Sequence, residues 1–292
     1  MASVISPLVT TYATRTPYIT VAEFLATPTA LEVEDLIPGA EEEAQTQALT
    51  DAISRASSWV DRICHQILAC TVDIQPGRYR IDRRGFVRVP LKYNPVLEVS
   101  AVSVGLRASQ MVALTDLSDV ELYEYSVEVP VLPAQLPSGY GGYNVGDKLI
   151  TNITYVNGWV NTLVSGSTGS GSSTLPVTST LGIYPGTSFT VYDGINTEPL
   201  VASSSYVPGT SPIALAGVTQ FAHNQGVSVS NLPPGAKAAT VLLAATLIQT
   251  RGNDALVLDT TDTPKKVEGE TVANATDIDI AIELLDELIR VK

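Results

Sequence analysis

The chain has 292 residues, of which 45% are hydrophobic and 16% are charged, and this composition is typical of a globular protein and not of a disordered one. Its formal net charge of −13 disfavours general binding to nucleic-acid phosphates or to anionic membranes, because both are bound through Lys and Arg. The sequence contains no run of eighteen apolar residues that would predict a transmembrane helix, and its beginning lacks the pattern of a secretory leader.

The first predicted elements are an arm and two helices. Residues 1–17 are expected to form a loosely held N-terminal arm. Thr20 and Glu23 form a capping-box pattern before a short helix that Pro28 ends. A long helix is predicted over about 40–68, because apolar residues recur there at three- and four-residue spacing. Many of these residues are alanines, so a neighbouring backbone could approach the helix closely.

The next ninety residues change to the two-residue period of β-strands. We predict a meander of about six short strands over 71–160, with turns at Pro76-Gly77 and Arg84-Gly85. The run from Ser165 to Ser173 contains only Gly, Ser and Thr, which predicts a flexible linker. A further β segment follows this run, and Asp193-Gly194 is its best hairpin turn.

Two more helices are predicted in the last part of the chain. The first spans about 234–251, because Pro233 and Pro234 suit its first turn and Gly252 suits its end. A C-terminal arm begins at about 253. It contains an amphipathic helix over about 277–290, for which Asp277 is a plausible cap.

The sequence offers no reactive constellation, so we expect neither catalysis nor a cofactor nor a metal site. His65 and His223 are the two histidines, and no nucleophile motif accompanies them. The spacing of Cys64 and Cys70 does not fit zinc, and we expect both to be reduced, packed thiols. A basic hairpin either contacts nucleic acid or an acidic protein face, or is solvated or pairs with another subunit; its arginines are Arg78, Arg80, Arg83, Arg84 and Arg88.

The order of these elements resembles that of head-to-tail adaptor (connector) proteins of long-tailed bacteriophages. The segments that carry the resemblance are "YITVAEFLA", "ALTDAISRASSWVDRICHQIL", "YRIDRRGFVRVPLKYNPVLEVSAVSV", "ITNITYVNGW", "LPPGAKAATVLLAATLIQTRGND" and "IAIELLDELIRVK". It covers roughly residues 18–160 and 231–292. In this family "YVNGW" and "LPPGAK" are close to consecutive, whereas about seventy residues separate them here.

The resemblance implies an α+β fold in which a helical adaptor core carries a β-meander and an inserted small β-domain. The scaffold would comprise 18–162 and 231–292, and the inserted domain 165–230 after the Gly/Ser linker. The ends of this insertion are expected to lie close together. The two alanine-rich helices and the C-terminal helix would supply subunit contacts through Ala48, Ala52, Ala56, Trp59, Ala238, Leu242, Ala245, Ile282, Leu285 and Ile289.

The function that the resemblance implies is a non-enzymatic ring, usually of twelve copies, in the neck of the virion. Such a ring binds the portal protein, extends the DNA channel and receives a head-closure or tail protein. The subunit would be made in the host cytoplasm, and DNA would pass without specific binding, because a negative wall repels it. The alternative is another neck or tail structural protein, or a host-surface binding module that uses the inserted β-domain.

Overall fold

The computed structural model describes residues 15–29, 31, 36–37, 39, 41–123, 125–131, 145–250 and 273–289. The chain divides into two compact units. The first, which we call the sheet unit, contains Cys70–Trp159; the second, the helical unit, contains Thr10–Ala69 and Val160–Lys292. Helices and small antiparallel sheets are both present, so the prediction of a mixed α+β fold is confirmed. Most of the predicted N-terminal arm, and the C-terminal arm over 253–272, lie outside the described residues.

The described part of the sheet unit contains seven strands in two antiparallel sheets, with the orders β1-β7-β3-β4 and β2-β6-β5. The strands are β1 (Thr71–Arg80), β2 (Phe86–Pro90), β3 (Val96–Gly105), β4 (Val112–Ala113), β5 (Glu121–Tyr123), β6 (Ser126–Pro130) and β7 (Lys148–Asn157). The prediction of a six-strand meander is therefore wrong. The first strand pairs along its whole length with β7, which lies far along the chain.

Successive side chains of a strand point to opposite faces of the sheet, and this alternation determines which residues the sheet unit buries. On β7 the side chains of Leu149, Thr151, Ile153 and Tyr155 are fully buried. The three apolar ones, Leu149, Ile153 and Tyr155, belong to one cluster that also includes Val87, Val102 and Val127. Alternate residues of β1 are exposed. Pro76 lies inside β1 and does not form a turn, which corrects the prediction. The edge position of β1 tolerates proline, since an edge strand needs no amide donor on its outer side.

The helical unit begins with α1 (Val21–Ala26) and α2 (Glu42–Cys64). The predicted capping box is confirmed, because Thr20 Oγ1 accepts from the Glu23 amide and the Glu23 carboxylate accepts from the Thr20 amide. The second helix ends four residues earlier than predicted. His65 takes a left-handed conformation at φ 55°, and the amide of Gln66 donates to the carbonyl of Asp61 at 3.2 Å, which closes the last turn.

The third helix, α3 (Pro234–Gln249), lies at the centre of the helical unit and contacts both α2 and α4 (Ala273–Leu285). Its buried positions cover most of its circumference, whereas Ala238 and Gln249 are exposed on the remaining side. The buried residues are Ala236, Lys237, Ala239, Thr240, Val241, Leu243, Ala244, Ala245, Thr246 and Ile248. A helix that is apolar all round is a core helix, which explains why it has no polar face. The last helix begins at Ala273, so Asp277 lies inside it and the predicted cap is wrong; a 3-10 turn, Asp286–Leu288, continues α4.

Residues 160–232 form the β part of the helical unit. Its strands are β8 (Asn161–Leu163), β9 (Thr174–Leu175), β10 (Ser188–Tyr192), β11 (Glu198–Val201), β12 (Ile213–Ala214) and β13 (Ser228–Ser230). They form a four-stranded sheet in the order β11-β10-β13-β8 and a pair, β12-β9. The hairpin predicted at Asp193-Gly194 is confirmed by the pairing of β10 with β11, although a 3-10 turn, Gly194–Asn196, forms part of its loop.

The Gly/Ser run is hydrogen-bonded into this β part, whereas its composition predicts a flexible linker. Thr168 exchanges two backbone hydrogen bonds of 2.8 Å with His223, and the amide of Gly171 donates to the carbonyl of Thr219 at 2.7 Å. The hydroxyl of Thr219 donates to the carbonyl of Gly169 and accepts from the amide of Ser172. These bonds explain how a segment without apolar side chains holds one conformation.

The two ends of the β part meet each other. The amide of Val160 donates to the side-chain oxygen of Asn231 at 2.7 Å, and the amide of Asn231 donates to the carbonyl of Val160 at 3.1 Å. Strand β8 also pairs with β13, opposing Asn161 and Ser230. The chain thus leaves the β part beside the point at which it enters.

Candidate assembly surfaces

The arginines of the predicted basic hairpin are all exposed, but they have different neighbours. The guanidinium of Arg84 forms ion pairs with Asp82 at 3.1 Å and with Glu128 at 2.8 Å. The amides of Phe86 and Arg84, together with this guanidinium, hold the pKa of Asp82 below its ordinary value. Arg88 donates to Ser126 Oγ at 3.1 Å and lies over the ring of Tyr123.

Arg78 and Arg80 lie on β1, and both point away from the core. Arg80 is directly opposite Lys148 of β7 in the antiparallel register, so the two cations share one face of the sheet. No ion pair or hydrogen bond joins Arg78, Arg80 or Lys148 to another side chain in the described part of the chain. Like charges that face each other destabilise a sheet.

The same face of β1 also presents apolar side chains. Val72 is 55% exposed and Ile74 is 59% exposed, and they alternate in register with the arginines. We call the set Val72, Ile74, Arg78, Arg80 and Lys148 the outer sheet face. Sequence reasoning found the two arginines but missed Lys148, because its pairing with β1 is not local. It also missed Val72 and Ile74, although the two-residue period of "TVDIQPGRYR" places them on the side of Arg78.

The last helix presents a second exposed surface, which carries the opposite charge. Ala281 and Leu285 are fully buried, whereas Ile280 is 41% exposed and Leu284 is 40% exposed. Asp279, Glu283 and Glu287 are exposed at four-residue spacing, so their carboxylates follow one line along the helix and its 3-10 continuation. No ion pair or hydrogen bond partners these three carboxylates among the described residues. We call Asp279, Ile280, Glu283, Leu284 and Glu287 the outer α4 face.

The residues predicted to contact other subunits fall into three groups by burial. Ala56, Ala245 and Leu285 are buried within this chain, so their side chains have no surface left for a second chain. Ala238 and Ile282 are exposed. The others are half-buried, and they are Ala48, Ala52, Trp59, Leu242 and Ile289. For the exposed and half-buried residues, contact with another subunit stays a prediction.

Lys237, whose side chain is mostly buried, joins three elements of the helical unit. Its ammonium group donates to Glu23 Oε1, lies 3.5 Å from the centre of the Tyr192 ring and donates to Ser228 Oγ at 3.5 Å. Burial lowers the pKa of Lys237 below its ordinary value, although Glu23 opposes this effect. The contacts tie α1 and the β part to α3, which makes the role of Lys237 structural.

A second buried cluster fixes the N-terminal segment on α2. Arg15 pairs with Asp61 Oδ2 at 2.8 Å, and the hydroxyl of Tyr18 donates to Asp61 Oδ1 and accepts from the amide of Leu68 at 2.9 Å. Burial raises the pKa of Tyr18 well above its ordinary value. A shallow cleft beside the cluster is lined by Arg15, Thr16, Pro17, Ser54, Ser57, Ser58 and Asp61. Since the polar groups of this cluster bind one another, it holds the chain together.

The two histidines occupy different environments. His65 is exposed at the end of α2. His223 is fully buried, with Nδ1 2.9 Å from Asp193 Oδ2 and Nε2 2.7 Å from Glu198 Oε1. Both ring nitrogens thus lie within hydrogen-bond distance of carboxylates. His223 is 1% exposed and leaves no surface for a substrate. It holds the β10–β11 hairpin to the segment that pairs with the Gly/Ser run.

The two cysteines and the possible metal ligands form no reactive or metal-binding site among the described residues. Burial raises the pKa of Cys64 and of Cys70 to about 12, so at neutral pH both stay protonated and unreactive. Over the described ranges, no three His, Cys, Asp or Glu side chains are grouped so that they could hold a metal ion. No helix among them combines the length and apolar character that spanning a bilayer requires.

Comparison of the chain with known protein families, with curated proteins and with solved structures finds no significant match.

Proposed function

We propose that the protein is a structural subunit of a bacteriophage neck, which assembles into a ring of about twelve copies between the portal protein and a head-closure or tail protein. The order of the elements carries this proposal. A capped short helix, the long helix α2 and a sheet that ends in "YVNGW" on β7 are followed by α3 and α4, and this is the order on which the resemblance to head-to-tail adaptors depends.

The packing of the helices supports a structural role. The core helix α3 contacts both α2 and α4, and alanines at Ala236, Ala239, Ala244 and Ala245 let its backbone approach its neighbours closely. Such a framework presents fixed surfaces to partners. A ring requires two different surfaces on each copy that complement each other.

The distribution of charge supports a channel through which DNA passes without specific binding. Residues 70–159 hold eight of the seventeen Lys and Arg and nine of the thirty Asp and Glu, so nearly all of the net negative charge belongs to the rest of the chain. If that part lines the channel, its charge repels the phosphates and keeps DNA from adhering.

The test of the proposal is the assembly state of the full chain. Native mass spectrometry and negative-stain electron microscopy should show closed rings of about twelve copies, and the rings should bind the purified portal protein of the same phage. A chain that stays monomeric at every concentration, with and without portal, would contradict the proposal.

A second candidate, a host-surface binding module, is favoured by one observation in the β part. Ile195 is 97% exposed in the β10–β11 loop, so its side chain is available for contact with another molecule. The candidate predicts that the full chain binds host-cell surface glycans on an array. It also predicts that Ile195→Asp abolishes this binding while the rings remain; failure to bind any glycan would remove this candidate.

A further inference from the structure

The outer sheet face and the outer α4 face have complementary chemistry. The first combines Val72 and Ile74 with three cations. The second combines Ile280 and Leu284 with three carboxylates. Each surface is exposed in the isolated chain, and each lacks ionic partners among the described residues.

Each surface also carries an unfavourable arrangement of like charges. Arg80 faces Lys148 across the ladder between β1 and β7, and cations in this position repel each other. Glu283 lies four residues from both Asp279 and Glu287, and like charges at this spacing destabilise a helix. Both repulsions would be relieved by bringing the two surfaces together.

The spacing of the charges agrees with such a contact. Arg78 and Arg80 are two residues apart on a strand, which corresponds to about 6.6 Å. Asp279 and Glu283 are four residues apart on a helix, which corresponds to about 6 Å. A helix lying along the strand can therefore align successive carboxylates with successive guanidinium groups. Ile280 and Leu284 then lie beside this row of paired charges.

We propose that the outer sheet face of one copy binds the outer α4 face of a second copy. The contact is heterologous, because two different surfaces meet, and so a pair of copies keeps one unused surface of each kind for further neighbours. The inference rests on the self-association that the proposed function assumes, and it names the surfaces through which copies meet. Duplex DNA is the other occupant that the cations would suit, and the experiment distinguishes it.

Charge reversal on each surface tests the contact. In the first variant, Arg80→Glu is combined with Lys148→Glu; in the second, Glu283→Lys is combined with Glu287→Lys. Each variant alone should weaken self-association of the full chain about tenfold or more, as measured by sedimentation velocity and native mass spectrometry. An equimolar mixture of the two should restore assembly, because every contact in an alternating oligomer again joins opposite charges.

A matched control distinguishes an effect of the outer sheet face from an effect of the changed net charge alone. Lys92→Glu combined with Arg107→Glu makes the same net change at two other exposed positions of the sheet unit, and it should assemble like the wild type. Circular dichroism melting shows whether each variant is folded. Wild-type assembly should also weaken between about 0.05 and about 0.5 M NaCl, because salt screens exposed charge pairs.

The results that would contradict this contact differ from those that would contradict the proposed ring. Wild-type rings that both folded charge-reversal variants form equally well would overturn this contact and leave the ring intact. Loss of duplex-DNA binding in the Arg80→Glu and Lys148→Glu variant, with assembly unchanged, would assign the outer sheet face to DNA instead. A wild-type chain that never associates would overturn both the contact and the ring.

Discussion

At the scale of single residues, the carboxylate of Glu198 is a buried polar group with three hydrogen-bond partners. It accepts from the amides of Gln220 and Phe221 at 2.9 and 3.2 Å and lies 2.7 Å from His223 Nε2. Burial by itself raises the pKa of Glu198, but these three partners together hold the pKa below its ordinary value of 4.5. Glu198 thereby stabilises the β part in its ionised form.

The pH dependence of this contribution follows from the direction of the shift. Because the folded-state pKa is depressed, the contribution is fully present above about pH 4.5 and is lost as the pH falls through the folded-state pKa. Glu198→Gln should therefore lower the free energy of unfolding by about 1–3 kcal/mol near pH 7, and by progressively less as the pH falls from about 4.5 through the folded-state pKa. Urea unfolding across this range measures the difference, with exposed Asp119→Asn as the control. A difference that stays constant with pH would contradict this account.

At the scale of elements, the contact between α3 and α4 depends on one glycine. A Cβ on Gly235, in the first turn of α3, would lie 2.5 Å from the carbonyl oxygen of Leu284. This is too close for any side chain, because the obstructing atom belongs to the backbone of α4. Only glycine lets the two helices meet at this distance.

The effect of Gly235→Ala should therefore be opposite in sign to that expected from helix propensity. Alanine normally stabilises a helix relative to glycine by roughly 0.5–1 kcal/mol. Here we expect the free energy of unfolding to fall by about 1–3 kcal/mol, because α4 must shift. Gly217→Ala is the matched control, since nothing lies within 4 Å of its added Cβ. Equal unfolding midpoints for the two variants would show that α4 is not held here.

The helices were predictable from the sequence, because their periodicity is local. The pattern located α2 and α3, although the end of α2 depends on the left-handed conformation of His65, for which the sequence has no glycine signal. The partner of β1 was not predictable, because β7 is separated from it by most of the sheet unit. The order of the Gly/Ser run was also missed, since Thr219 and His223 supply its partners from a distant segment.

At the scale of the whole molecule, the predicted insertion has a direct test. A deletion that joins Asn161 to Leu232 by a short linker is feasible, because the neighbouring residues Val160 and Asn231 already hydrogen-bond to each other. The shortened chain should keep its helical circular dichroism signal and its ability to assemble. Its unfolding midpoint should be lower, because Lys237 loses its contacts with Tyr192 and Ser228.

A control for this deletion inserts the same linker at the exposed Pro208-Gly209 turn, where it should have little effect on folding. If the shortened chain aggregates or loses its helical signal while the control folds, residues 162–231 belong to the core of the helical unit. They would then not be an insertion.

The contact between α2 and α3 has a consequence during synthesis. About 170 residues separate the end of α2 from the start of α3. At roughly 5–20 residues per second, a ribosome takes about 9–34 s to make that interval. Throughout this time the apolar stripe of α2, which includes Leu49, Ile53 and Val60, lacks the helix against which it packs. The nascent chain therefore presents a target for chaperones until α3 emerges.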